Sequence, residues 1–438
     1  MQESRNKGGA EVTGGGHDAG SRLHSLGVVP LCLRALSGLF VFVCVVLSTR
    51  GTEDVIPFYR QSQTTELRSP LDAVQLDTFP ESKGIQFAHF KLNPYATEDS
   101  TYTDNPTRSE HNKMDDVLQE YAVGFNSAFR PHECVKLTLN YEFGWHDYML
   151  NTARDYLSHQ AGFNATLDRV GVRGLSLSFF EQYLQTANTS ALENEIAQFS
   201  KYQTDRAGTR AVYNFNRFKI SGEYAYALLS YYDRINRRSN FRTHTGSFES
   251  SWDWLPKRLE IFESFQLQRT LFDRNGVADF DGYTLQAGVR GSYSRLTYSV
   301  ATGYAFAVPL YRAGTQGDSS VTASIGYVPT RRLSFDVNMV RTFVPDVRTG
   351  ATLETDLNAA LKFVLTHRGR LALTYARNEA DRLIGAQQIS VAYSTRFDYK
   401  ITRNAAAIFN VTRYDRSSTL PNDNFNANEV RLGLRLAW

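Results

Sequence analysis

Val430-Arg431-Leu432-Gly433-Leu434-Arg435-Leu436-Ala437-Trp438, the last nine residues of a 438-residue chain, is the stretch on which the fold turns. Apolar Val430, Leu432, Leu434, Leu436 and Trp438 alternate with Arg431, Gly433, Arg435 and Ala437. Successive side chains of a β-strand point to opposite faces, so this strand has one wholly apolar face and one polar face. A helix would scatter the same residues around its axis. The period is two.

The same period recurs upstream. Val135, Leu137, Leu139, Tyr141, Phe143 and Trp145 alternate with Lys136, Thr138, Asn140, Glu142, Gly144 and His146. Leu285, Ala287, Val289, Gly291 and Tyr293 form a second such set, Leu357, Ala359, Leu361, Phe363 and Leu365 a third, and Ile389, Val391 and Tyr393 a fourth. Segments of about ten alternating residues separated by turn residues are the signature of a transmembrane antiparallel β-barrel, and an all-β fold of that kind is expected. The terminal aromatic Trp438 resembles the insertion signal of outer-membrane barrels.

Connections alternate in length as well. Short links are read at 131–132, 169–171, 216–217, 255–256, 294–295, 329–330, 367–369 and 400. Longer polar loops are read at 104–116, 148–156, 187–199, 233–241, 273–280, 308–317, 344–352, 380–386 and 414–427. This pattern predicts about 18 strands, an even count that leaves both ends on the periplasmic side. Sixteen is the alternative, because 172–186 and 258–272 are poorly patterned. Glu263 falls on the apolar face of its segment, so a bulge is expected there. No outer loop exceeds about fifteen residues, which favours an unconstricted interior.

Composition agrees and excludes competitors. Tyr 24, Phe 28 and Trp 4 give an aromatic share of 13%, which suits a surface with a lipid face and a wet rim. Lys+Arg 48 against Asp+Glu 45 leaves a net charge of +3, no footing for nucleic-acid binding. A hydrophobic share of 42% excludes wholesale disorder. A mean hydropathy of −0.38 excludes a bundle of membrane helices. Cys32 and Cys44 fall in or beside the N-terminal apolar stretch, leaving Cys134, and no Cys/His spacing fits a metal site. No cofactor is implied.

The N-terminus reads as an export signal. Arg22 and Arg34 precede the run Ala35–Leu47, which is too short to span a bilayer, and cleavage is expected after Ser48. The chain therefore divides into a signal peptide, 1–48, a periplasmic lead-in, 49–84, and a barrel, 85–438.

The inward positions hold both signs of charge, including Glu120, Glu142, Glu223 and Asp336. The later strands lean basic, and Arg290, Lys362, Arg370, Arg431 and Arg435 are read as pore-lining residues that would favour an anionic passenger. Arg234, Arg237, Arg238 and Arg242 crowd one outer loop, where Arg pairs bidentately with phosphate; contact with lipopolysaccharide is expected there, alongside general contact with outer-membrane lipid. A hydrolase would need Asp115-Asp116 and His146-Asp147 to share a site, yet adjacent strand residues face opposite ways. No enzyme activity is expected.

The first hairpin carries a family resemblance. Leu92-Asn93-Pro94-Tyr95, Tyr102-Thr103-Asp104-Asn105 and Asp115-Asp116, followed by Tyr141 and Trp145-His146-Asp147-Tyr148, resemble the β-barrel porins encoded beside bacterial exopolysaccharide export and PEP-CTERM sorting systems. The resemblance spans 91–438, with its sharp motifs in the first fifty residues. It implies an outer-membrane conduit for polysaccharide export, with periplasmic export proteins as partners and no catalytic residues. A general or solute-specific diffusion porin is the alternative, and a structural barrel comes third.

Overall fold

In the computed structural model, residues 84–106, 113–169, 174–188, 200–232, 240–273, 279–310, 315–346, 350–382, 387–419 and 423–438 are described. The expected signal peptide and, apart from Gly84, the lead-in lie outside them.

A three-residue strand, β1 (Ile85–Phe87), precedes the wall. The wall begins with β2 (Phe90–Thr103), β3 (Asp116–His132), β4 (Val135–Tyr148) and β5 (Tyr156–Asp168). It continues through β6 (Leu175–Asn188), β7 (Ser200–Phe215), β8 (Phe218–Tyr231), β9 (Phe241–Leu255) and β10 (Leu259–Phe272). Next come β11 (Phe280–Tyr293), β12 (Leu296–Pro309), β13 (Gln316–Thr330), β14 (Leu333–Asp346) and β15 (Gly350–Val364). β16 (Gly369–Arg382), β17 (Gln387–Lys400), β18 (Ala405–Ser418) and β19 (Phe425–Ala437) complete it. Among the described residues the only helical piece is a 3₁₀ turn, Thr152–Arg154.

Each of β2 to β19 pairs antiparallel with its sequence neighbours, and β19 pairs back onto β2 from Glu429↔Thr103 to Ala437↔Tyr95. The result is a closed 18-stranded antiparallel barrel; the sixteen-stranded alternative is set aside because β6 and β10 are full strands. The Trp438 N–H donates to the Pro94 carbonyl at 3.1 Å, so the terminal residue fastens the seam. β2 reaches below the end of β19, and there β1 takes the vacant edge through Ile85↔Leu92 and Phe87↔Phe90.

The alternation sorts as the sequence requires. Tyr121, Val123, Trp145, Leu285, Val300, Tyr304, Leu432 and Leu434 are exposed on the outward face, while Asp99, Gln286, Ser394, Asn410 and Thr412 are buried on the inward one. At the short-turn end, Phe215, Phe218, Trp252, Trp254, Tyr293, Tyr327 and Trp438 form an outward aromatic band, with Phe218 and Trp252 stacked at 6.1 Å. Amphipathic rings settle at a membrane–water interface, so the band marks one edge of the lipid belt.

Three differences from the sequence reading have physical causes. The turns expected at 131–132 and 329–330 fall two residues later, at 133–134 and 331–332. Each register shift, Phe129/His132 and Tyr327/Thr330, brackets a proline, which has no N–H for the ladder and is accommodated where pairing is interrupted. No bulge occurs at Glu263; its register runs unbroken and its carboxylate accepts a hydrogen bond from Ser250 Oγ at 2.9 Å on the outward face. Finally, the loop expected at 344–352 shrinks to 347–349, because β14 and β15 extend further.

The two faces should respond differently to substitution. Leu434→Arg puts a charge into the lipid belt and should cost about 2–4 kcal/mol near its midplane, whereas Lys362→Gln on the inward face should cost much less. Denaturant unfolding in liposomes, followed by heat-modifiable gel mobility, checks this; equal losses on both faces would overturn the register.

Candidate functional site

A barrel of this size acts through its inner wall and its mouths. Many charged groups on that wall pair with one another, several of them across strands, as expected where an unpaired charge in a partly desolvated interior is expensive.

The densest network lies at the closure seam. Arg431 Nη2 meets Asp99 Oδ2 at 2.5 Å and Glu120 Oε2 at 3.8 Å. Glu120 Oε1 lies 3.0 Å from His146 Nδ1, His146 Nε2 lies 2.8 Å from Ser158 Oγ, and the imidazole stacks on Tyr156 at 4.1 Å. Gly433 makes this possible. It sits opposite Asp99 between the two arginines of β19, and a Cβ there would overlap the Asp99 carboxylate. Further along, Arg396 Nε donates to Asp398 Oδ1 at 2.8 Å, Arg370 stands opposite Asp398 in register, and Arg435 lies within electrostatic reach of Arg396, Asp398 and Asp99.

Lys362 pairs with Asp336 at 3.2 Å. Arg290 donates to Glu260 at 2.6 and 2.9 Å and to Glu249 at 2.8 Å, its guanidinium 4.8 Å from the Phe262 ring centre. All five expected lining residues therefore share the inward face. The seam gathers Arg370, Arg431 and Arg435, with Lys362 on nearby β15, while Arg290 on β11 stands on the far side of the ring. Of the expected phosphate-binding loop, only Arg242 falls among the described residues. Arg242 is exposed on the outward face of β9, and Arg234, Arg237 and Arg238 lie outside the described residues.

Sequence reasoning placed Glu120, Glu223 and Asp336 inward but missed the pairs they form and several other partners. Arg206, which pairs with Glu223 at 3.2 Å and lies 4.9 Å from the Phe180 ring centre, and Arg396, Asp398 and Asp99 emerge only when register is known. The two acidic and His–Asp rim motifs do not converge. Asp116 is buried and accepts backbone N–H bonds from Val117 and Leu150, and Asp147 stands opposite Gln119 on the outward face. Among the described residues no cluster of His, Cys, Asp and Glu could hold a metal ion.

The long-loop mouth holds a second feature. Pairing of β13 with β14 stops at Val321↔Arg341, although β13 begins at Gln316; β14 stays paired with β15 as far as Asp346↔Gly350. Above that point β14 parts from β13, while β15 stays paired with β16 as far as Thr352↔Arg382. Ser320 Oγ, on the inward face, donates to the Arg341 carbonyl at 3.0 Å and accepts from Gln286 Nε2 at 2.8 Å. Arg341 Nη2 pairs with Asp318 at 3.1 Å. Phe343 and Leu353 share the parity of the outward Phe335 and Leu361, yet they are buried against Phe280, Ala305 and Ala307 on the inner face of β11 and β12. The hairpin has folded inward across the top of β13.

Phe272 packs against this cluster and also against Leu229, Tyr231 and Phe241, so an apolar layer lines the mouth from β7 to β15. One signal in the sequence could have revealed it. Near the long-loop ends, Leu228-Leu229, Leu271-Phe272 and Phe343-Val344 are apolar on both parities, which alternation with a wet interior does not explain.

Residues 79–438 match the family model described as "Putative beta-barrel porin 2". No curated protein sequence matches the chain. Among solved structures, the outer membrane protein OpdK of Pseudomonas aeruginosa is 10% identical with a TM-score of 0.46, covering 80% of this chain and 99% of its own. OccAB3 of Acinetobacter baumannii is 11% identical with a TM-score of 0.46, covering 80% and 100%. A BenF-like porin of Pseudomonas fluorescens Pf-5 is 10% identical with a TM-score of 0.46, covering 79% and 99%.

The seam network makes a direct test. Gly433→Ala should displace Asp99 from between Arg431 and Arg435 and cost about 1–3 kcal/mol, as overpacking does. Gly246→Ala is the control, since a Cβ there would meet nothing within 4 Å. Urea unfolding of the two variants in detergent should separate them; equal stability would show that the Asp99 cradle is slack.

Proposed function

The chain belongs to the β-barrel porin family whose model it matches, and on that premise we propose that it is a diffusion channel for small hydrophilic solutes with a narrowed outer mouth. It is a porin of the bacterial outer membrane. The β14–β15 hairpin carries the finer reading. Strands laid across the inner face of β11–β13, with an apolar layer beneath them, reduce the width left for passage. Below them the wall carries closely spaced ion pairs, which hydrate a channel and orient dipolar solutes by their transverse field.

Export of a polysaccharide is the second reading. It is favoured by the resemblance at Leu92–Tyr95 and Tyr102–Asn105, and it implies periplasmic partners. A polymer conduit must pass linked sugar rings one after another past the same hairpin, a demand that a channel for single small solutes does not face. The Arg370, Arg431 and Arg435 group would give either passenger a preference for negative charge, tempered by Asp99, Glu120 and Asp398.

Liposome swelling with sugars of increasing length tests the choice. The purified barrel should admit monosaccharides and exclude longer oligosaccharides. Arg341→Gln combined with Phe343→Ser, which loosens the hairpin, should raise both single-channel conductance and the exclusion limit. Free passage of long oligosaccharides through the unaltered barrel would contradict the diffusion reading and favour export.

A further inference from the structure

The inner wall is not evenly open to the lumen. On β4, β5 and β10 inward side chains such as Glu142, Gln160, Gln266 and Gln268 are partly exposed. On β16, β17 and β18 every inward residue from Ala372 to Ala380, from Gln388 to Asp398 and from Ala406 to Arg416 is buried. Ala372 is 1% exposed, Ala392 0% and Tyr414 1%. A water-filled lumen does not hide a wall from end to end in this way, so the sector is covered. These strands pair only with their neighbours in the ring, and the infolded hairpin sits over β11–β13 instead. The sector is also built of small side chains, among them Ala376, Ser390, Ala392 and Ser394, which leave room for a covering chain.

The occupant has to reach the full height of the sector. Ala372 lies ten residues down β16 from Arg382, about 33 Å at ~3.3 Å per residue. The longest strand-joining segment outside the described residues, 189–199, has eleven residues and dips about 18 Å at most before it must return. The adjoining segments 383–386 and 420–422 are shorter still. The expected lead-in, 49–83, is different, because its 35 residues are tied to the barrel at one end and span up to about 115 Å. It also arrives at the right place. β1 delivers it to the short-turn end of β2, beside β19 and the covered sector. Gly84, at φ +65°, turns the chain hard against Asn93, where any Cβ would overlap the Asn93 side chain. Charge agrees. On β16–β19 the inward Arg370, Arg396, Arg416, Arg431 and Arg435 outnumber Asp398 and Glu429. The lead-in has six acidic residues, from Glu53 to Glu81, against four basic ones.

We propose that the lead-in, 49–83, docks inside the barrel along the inner face of β16–β18. The alanines and serines of that face let a peptide backbone approach closely, and the neighbouring arginines meet its acidic side chains. A chain seated there fills one side of the lumen and leaves the β4–β10 side as the path for solutes. The proposal rests on the lead-in staying with the barrel after signal cleavage, and it is independent of what the channel conducts.

Photo-cross-linking of the full membrane-inserted chain tests the proposal. A diazirine analogue of leucine placed at the buried, inward Ile408 should capture a peptide from 49–83, read by mass spectrometry. Capture of a peptide from any long loop, or of none, would overturn it. A second readout uses thiols in a Cys134→Ser background. Ser394→Cys should react with a water-soluble maleimide at least about tenfold more slowly than Ser264→Cys on the inward face of β10, because reaction must await local opening. Deleting 49–83, with insertion confirmed by heat-modifiable mobility, should bring Ser394→Cys up to the Ser264→Cys rate and raise single-channel conductance. Equal rates in the full chain, or a deletion that leaves the Ser394→Cys rate unchanged, would also overturn the proposal.

Discussion

Lipid offers no hydrogen-bond partner to a peptide group, and everything else in this structure follows from that. Each unpaired N–H or C=O in the bilayer interior costs several kcal/mol, so a sheet can cross only if it has no edge. The pairing of β19 with β2, finished by the bond from Trp438 to Pro94, removes the last edge. Closure then dictates the two-residue period, because every strand has lipid on one side and the interior on the other.

The interior is governed by a different constraint. Once charges are placed on the inward face, they sit between full hydration and full burial, where a close partner is worth more than in bulk water. Asp99 illustrates the consequence. It is almost wholly buried, it faces Arg431 across the seam, and the glycine opposite it exists where any side chain would collide. The pairs of Arg290 with Glu249 and Glu260 repeat the solution on the far side of the ring, so the wall stays wet and charged with little net charge.

Much of this was legible in the residues. Long runs such as Val135–Trp145 and Val430–Trp438 announced the barrel because their outward residues are large and apolar without exception. β6 and β10 were obscure because Glu181, Gln185 and Glu263 take outward positions. The turns near Pro131 and Pro329 were misplaced because a missing N–H lengthens a strand end without changing its appearance. The ion-pair partners were hidden because pairing across strands depends on register, which one-dimensional alternation does not specify. The infolded hairpin was missed for a subtler reason. Phe343 and Leu353 keep the correct parity for lipid, and only the departure of β14 from β13 turns that face toward the inner wall.

That departure is the most consequential claim, since it separates a narrowed channel from an open tube. Nitroxide side chains introduced singly at Phe335, Val337, Phe343 and Leu353 in the membrane-inserted barrel test it through their relaxation by dissolved oxygen, which concentrates in lipid. All four positions share one parity. The account predicts strong oxygen relaxation at 335 and 337 and little at 343 and 353, where the labels would face β11 and β12. Strong oxygen relaxation at all four would place the upper ends of β14 and β15 against lipid and contradict the account.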